Sequence, residues 1–240
     1  MPREVIMNQE QCLHISYEPS NNWGYLIWNA INEAEGKNIT PISQDLRSAL
    51  SNLILAFSYK WDYLPIVLER LRENVERLYQ KLQDRDKSLD KYALEIENII
   101  KYELIIDVNS FFHELYSGME ILEEIEQIVN QKVLGYTKSM KIFSKILKDR
   151  GESDDWLKEF FNNRGHFTHA GTPWFAVSVK SESEYELLIL KENVKCLDDP
   201  KKYVKFSDLD NYIHGFMYIS IRLQEYLVKQ IKEVKMPSIN

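Results

Sequence analysis

The stretch FFNNRGHFTHAGTPW, residues 160–174, holds two of the chain's five histidines, an arginine, two asparagines and two glycines. No other part of the sequence is so dense in side chains able to do chemistry. Arg164 and His169 stand in the spacing R-x4-H. An arginine is permanently charged and offers a forked donor that matches phosphate oxygens. A histidine titrates near neutrality and can take a proton from a ribose 2′-hydroxyl or give one to a leaving oxygen. Together they suit cleavage of RNA without a metal, the arginine stabilising charge on the phosphorane. Residues five apart on a regular helix lie about 140° apart. The pair therefore needs a long arginine reach, a distortion at Gly165 or Gly171, or a second copy of the motif from a paired subunit.

Other constellations are weaker. His166 and His169 are three apart, but zinc sites of the peptidase type use a four-residue step with a glutamate between, and no third ligand is evident, so no metal site is expected. His113, Glu114 and His214 fall within helical patterns and read as ordinary helix residues, and His14 is uninformative. Glu120, Glu123, Glu124 and Glu126 read as a solvated acidic face; a di-iron bundle would need inward Glu-x-x-His pairs, and Ser117 stands where the histidine would follow Glu114. Lys138, Lys141, Lys145 and Lys148 are candidates for a local phosphate-attracting patch, or a plain solvated face. Trp174 and Phe175 can stack on bases or pack the core of a hairpin, the second being favoured.

These residues must be positioned by helices. The chain has 240 residues with only 8 glycines and 7 prolines, too few for a turn-rich all-β fold. Thirty Lys and Arg against 37 Asp and Glu leave a net charge of −7, which excludes binding of nucleic acid by bulk basicity. Cys12 and Cys196 form no framework. With no apolar run of about 18 residues and no apolar leader pattern, a cytoplasmic protein without membrane association is expected.

Along the chain, residues 1–20 read as irregular. Trp23, Leu26, Ile27, Ala30, Ile31 and Ala34 recur at helical spacing up to Gly36. Thr40 and Pro41 read as the cap and first position of a second helix, and Pro65 as opening or kinking a third. Residues 88–133 are almost unbroken helical pattern with a bend expected near Asp107–Ser110, forming an antiparallel hairpin with the preceding helix across residues 84–87. A basic helix from Thr137, a helix capped by Ser153, Asp154 and Asp155, a polar loop at 192–206 and a last helix from about Asp208 to Val234, with a capping box of Ser207 and Asp210, complete the reading. The fold class expected is all-α: a bundle with one small inserted β-hairpin, about 173–190, before the last long helix. It is read as one domain over 1–240, with 1–85 an N-terminal helical extension and 86–235 the core.

The R-x4-H spacing on a late helix, the long helices before it, the final helix and the HAGTPWFAV run after the histidine together resemble the HEPN superfamily. The resemblance implies a HEPN-like helical bundle and a metal-independent endoribonuclease without cofactor. Such proteins are often toxin or defence related and act as homodimers, in some cases with an antitoxin partner protein. By this resemblance His169 is the proton-transfer residue and Arg164 handles phosphate. The family commonly has a polar residue after the arginine where this chain has Gly165; Asn163 or His166 would stand in for it, and together with Lys145 would contact RNA or nucleotide. Other members are inactive and serve as nucleotide-binding, RNA-binding or dimerisation modules.

Overall fold

The computed structural model describes residues 4–7, 10–13, 19–84, 98–136, 142–169, 172–179, 184–193 and 197–234; for 4–7, 10–13 and 168–169 the description covers the backbone alone. The chain is mainly helical, with a three-stranded antiparallel sheet beside the helices.

The first departure from expectation is at the start, where β1 (Glu4–Met7) and β2 (Glu10–Leu13) pair antiparallel, Glu4 opposite Leu13 and Met7 opposite Glu10. Residues this close to a chain end gave too short a pattern to read. Helix α1 (Tyr25–Ala34) begins after Gly24, whose φ of 91° and close approach to Ile54 both demand glycine: a Cβ there would lie 2.5 Å from Ile54 Cγ2.

Helix α2 runs unbroken over Gln44–Gln83. Its cap is Ser43, whose hydroxyl accepts from the Leu46 N–H at 3.3 Å, so Thr40 and Pro41 do not start it. Pro65 lies inside this helix and neither opens nor ends a segment. It sits on the exposed face, while Leu64, Val67, Leu68, Leu71 and Val75 carry the buried stripe through it in phase. Tertiary packing of that stripe outweighs the one backbone bond the ring removes.

Helix α3 (Asn98–Gln127) packs against α2. Asp107–Ser110 lies within unbroken helix. Asp107 points inward, and its carboxylate is held by Arg70, through Nε at 2.9 Å and through Nη2, and by Asn74 Nδ2 at 3.0 Å. A π-helical segment, Ile128–Val133, prolongs α3 and ends before Gly135 at φ 75°. Glu126 belongs to no solvated face: it is buried and accepts from Asn130 Nδ2 at 2.6 Å.

Helix α4 (Ile142–Asp149) turns Ile142, Phe143, Ile146 and Leu147 inward; the expected start at Thr137 falls outside the described residues. Helix α5 (Asp155–His169) opens with the Ser153 hydroxyl accepting from the Asp155 N–H at 3.1 Å. Strands β3 (Trp174–Val179) and β4 (Tyr185–Leu190) form the expected hairpin, with Trp174 opposite Leu190. The polar loop after it contains a short 3-10 turn, Pro200–Lys202, and a third strand, β5 (Tyr203–Lys205), which pairs antiparallel with β4. Only Val204 of β5 is buried, so three residues left no legible alternation. Phe175 packs on the core, whereas Trp174 is 52% exposed and is not the hairpin's core contact.

Helix α6 (Asp208–Glu233) buries Leu209, Tyr212, Phe216, Ile219, Leu223, Leu227 and Ile231. The capping box does not form: Ser207 has helical φ and ψ, and its N–H and hydroxyl both donate to Glu186 at 3.1 Å. One hydrophobic cluster joins residues from Trp23 to Ile231, and α2 contributes to it along its whole length, so residues 44–83 are part of the same packing as the later helices. Among the described residues no helix is long and apolar enough to cross a membrane.

Candidate functional site

Helix α5 is an amphipathic element with an inner stripe of Leu157, Phe160, Asn163 and Phe167, all buried. The aromatic members lock it in place. The Phe167 ring stacks on Phe112 of α3 with centroids 4.5 Å apart, and Phe160 meets the Tyr212 ring of α6 edge-on at 5.7 Å. At its N-terminal end Trp156 lies directly on Gly215 of α6, where a Cβ would come within 2.5 Å of the indole. Two neighbouring helices thereby fix the rotation of α5 about its own axis.

That rotation decides where the motif residues go. Asn163 is 1% exposed, and its Nδ2 donates to the Tyr212 hydroxyl at 2.9 Å. It belongs to the α5–α6 seam and does not offer itself to RNA, a correction with a simple cause: it falls in phase with Phe160 and Phe167 on the buried stripe. Burial, together with nearby Glu159, raises the Tyr212 phenol far above its ordinary value, so it stays protonated. Gly165 and His166 are exposed, and nothing lies within 4 Å of where a Gly165 Cβ would be.

Arg164 is half-buried and reaches across to α3. Its guanidinium carbon stands 3.3 Å from the centre of the Tyr116 ring, a face-on cation–π contact. Phe161 supports the same ring edge-on at 6.1 Å. Burial first, then a hydrogen bond to Glu120, raises the Tyr116 phenol, with Arg164 pulling the other way. Glu123 is likewise raised, by burial and by the charges of Glu120 and Glu126. Tyr116 thus feels both the arginine over its ring and the carboxylates of Glu120 and Glu123 on its own helix. Tyr116 is 48 positions upstream of Arg164 and belongs to no motif, so sequence reasoning had no signal for it beyond the general wealth of aromatics.

Position 169 lies five residues further along the same helix, about 140° round the axis from 164. No break in α5 brings the two positions onto one face. Lys145 is also apart. Its Nζ stands 5.7 Å from the centre of the Tyr226 ring, fourteen residues beyond Tyr212 on α6. That places it about 21 Å along α6 from the Asn163 contact, so Lys145 does not join the Arg164 constellation. Among the described residues no group of three or more His, Cys, Asp or Glu is arranged to hold a metal. A surface groove of about 530 Å³ lies where α4, α5 and α6 meet, lined by Glu152, Trp156, Asn211, His214 and Tyr218 among others. It contains none of the motif residues.

No family model, curated protein or solved structure matches the chain.

Proposed function

We propose that this chain is a HEPN-like protein that works on RNA as a homodimer, cutting it without a metal by means of Arg164 and His169. The observation that carries the reading is the orientation of α5. Its aromatic stripe is fixed against α3 and α6, and Gly165 and His166 stand exposed at the turn that holds Arg164. A rigid helix with an exposed turn beside Arg164 is compatible with a surface active site. The 140° between the two backbone positions is the reason for proposing a dimer, in which a second copy would bring its own pair to a shared cleft.

In this reaction a histidine takes the proton of a 2′-hydroxyl, and the oxygen attacks the adjacent phosphorus. The arginine stabilises the extra negative charge. A histidinium then protonates the departing 5′-oxygen, leaving a 2′,3′-cyclic phosphate and a 5′-hydroxyl end. A toxin or defence role, a cytoplasmic setting and a protein antitoxin that masks the cleft follow from the same reading. The test is incubation of the wild-type protein and His169→Ala with single-stranded RNA in EDTA. Cleavage by the wild type that is lost in the variant is the expected result. Equal behaviour of the two proteins overturns the enzyme.

A second reading, a non-catalytic HEPN module that binds RNA or nucleotide or mediates dimerisation, draws on the stacking of Arg164 on Tyr116 beside Glu120. There the arginine's main contact is within its own chain. It predicts RNA retention without cleavage, and retention unchanged in His169→Ala.

A further inference from the structure

We infer that the outer face of the α2–α3 pair is a docking surface for a second copy of this chain; this deepens the homodimer reading above and rests on its dimer, not on its chemistry. Ile99, Tyr102 and Ile106 step by three and four along α3, the spacing that gathers residues on one side of a helix. They stand opposite the side that buries Leu104, Val108 and Phe111, and are 59%, 59% and 56% exposed. On α2, Tyr63 and Ile66 are three apart and 42% and 61% exposed. Three ion pairs join the two helices: Lys60 with Glu114, Arg70 with Asp107, and Arg77 with Glu103 at 3.0 Å. Partner numbers fall on α3 as they rise on α2, so the helices run antiparallel and these five apolar side chains flank one charged seam.

Area, shape and charge all point to a second copy as the occupant. The five side chains expose roughly 500–600 Å² between them, against the about 800 Å² that each partner gives to a stable interface. Apolar residues scattered singly over a surface need no explanation, but a run of this size marks a contact. A groove of about 510 Å³ lies among Tyr63, Ile66, Lys60 and Glu114, while Tyr102 and Ile106 stand out from the other end of the face. One face thus carries both a hollow and side chains to fill it, the self-complementarity that a two-fold contact needs. The seam's charges cancel in pairs, and exposed Glu73 lies beside it, so the face has no excess of cations to hold an RNA backbone or an anionic membrane. The surface also borders the candidate site. Tyr102 and Tyr116 are fourteen residues apart on α3 and lie within about 40° of each other around its axis, so a docked copy runs alongside the flank where Arg164 covers the Tyr116 ring.

The experiment is sedimentation equilibrium of the full chain over a concentration series, with melting temperature recorded for each variant and RNA cleavage in EDTA assayed in parallel. Ile66→Glu/Ile106→Glu puts charge on the face without touching the core, and is expected to raise the dimer dissociation constant at least about 100-fold. Tyr102→Ser, a milder change should the double variant melt too low, is expected to raise it about tenfold. Leu26→Glu, an exposed apolar position on α1, is the control and is expected to stay within about threefold of wild type. If the face variants dimerise like wild type, or Leu26→Glu weakens the dimer as much, this face is overturned and the dimer stands. If wild type is a monomer that floats with lipid vesicles, and Ile66→Glu/Ile106→Glu does not float, the face belongs to a membrane and the inference is overturned. A wild type that cuts RNA as a monomer overturns the face and leaves the nuclease; one that dimerises through this face and leaves RNA intact supports the face and overturns the nuclease.

Discussion

Asn163 and Tyr212 are joined by a hydrogen bond of 2.9 Å across the α5–α6 seam, both side chains sealed from water. Removing the amide leaves a buried phenol hydroxyl short of a donor and opens a small void. Asn163→Ala is expected to cost about 1–3 kcal/mol of stability. Urea titration at neutral pH measures it. A variant as stable as wild type would mean that the seam is held by the aromatic rings alone.

Arg70 and Asp107 make an asymmetric pair, the guanidinium 53% exposed and the carboxylate 2%. Losing Arg70 strands a buried charge, with Asn74 its remaining partner among the contacts described above. Losing Asp107 lets the arginine return to water. Arg70→Ala is therefore expected to destabilise by about 3–5 kcal/mol, and Asp107→Asn by clearly less. The order of the two chemical denaturation midpoints is the check, and the reverse order would refute the argument.

Pro65 lies on the exposed face of α2 and has no N–H to give to the carbonyl one turn back. Pro65→Ala restores that donor without touching the core. It is expected to raise stability by about 1–3 kcal/mol, read as an increased melting temperature.

Tyr79 predicts behaviour in alkali. Burial raises its phenol to about 12, and its hydroxyl accepts from the Leu187 N–H at 2.7 Å. The unfolded chain releases this proton near pH 10. The folded-state value is raised, so the contribution is fully present below pH 10 and is lost as pH climbs from 10 through 12. In Tyr79→Phe, stability at pH 7 should be lower because the Leu187 N–H loses its acceptor, and the decline between pH 10 and 12 should be shallower. Equal slopes in the two proteins would assign the alkaline loss to other groups.

Long periodic segments were legible in the sequence because a buried stripe repeats many times: the stripes of α2, α3 and α6 stand where the apolar spacing put them. Local rules failed where tertiary packing overrode them. Pro65 reads as opening or kinking a segment, yet the buried stripe on either side keeps its phase. Glu126 looked like one more member of an acidic face, yet the end of α3 turns it inward toward Asn130. Strand β5 has three residues, fewer than a two-residue period needs to declare itself. At the candidate site the exposed turn of Gly165 and His166 follows from the inward phase of Phe160 and Phe167, whereas the adjacent pair Phe160 and Phe161 points inward by sequence alone and Phe161 is in fact exposed. The inward amide of Asn163 follows from the same phase and went unread because a polar residue beside a motif draws a functional interpretation. Tyr116 was beyond reach, since its meeting with Arg164 depends on how two distant helices lie together.

Helix α2 has 40 residues, which makes it a rod of about 60 Å. It packs on both α3 and α6, and its Arg72 is ion-paired with Asp210 near the start of α6. A spar shared in this way ties the first part of the chain to helices that follow much later in the sequence. Severing the chain near residue 85 and discarding the first part would strip α3 of the helix it packs against and buried Asp107 of Arg70 and Asn74, and a sticky, partly melted remnant is the outcome to expect.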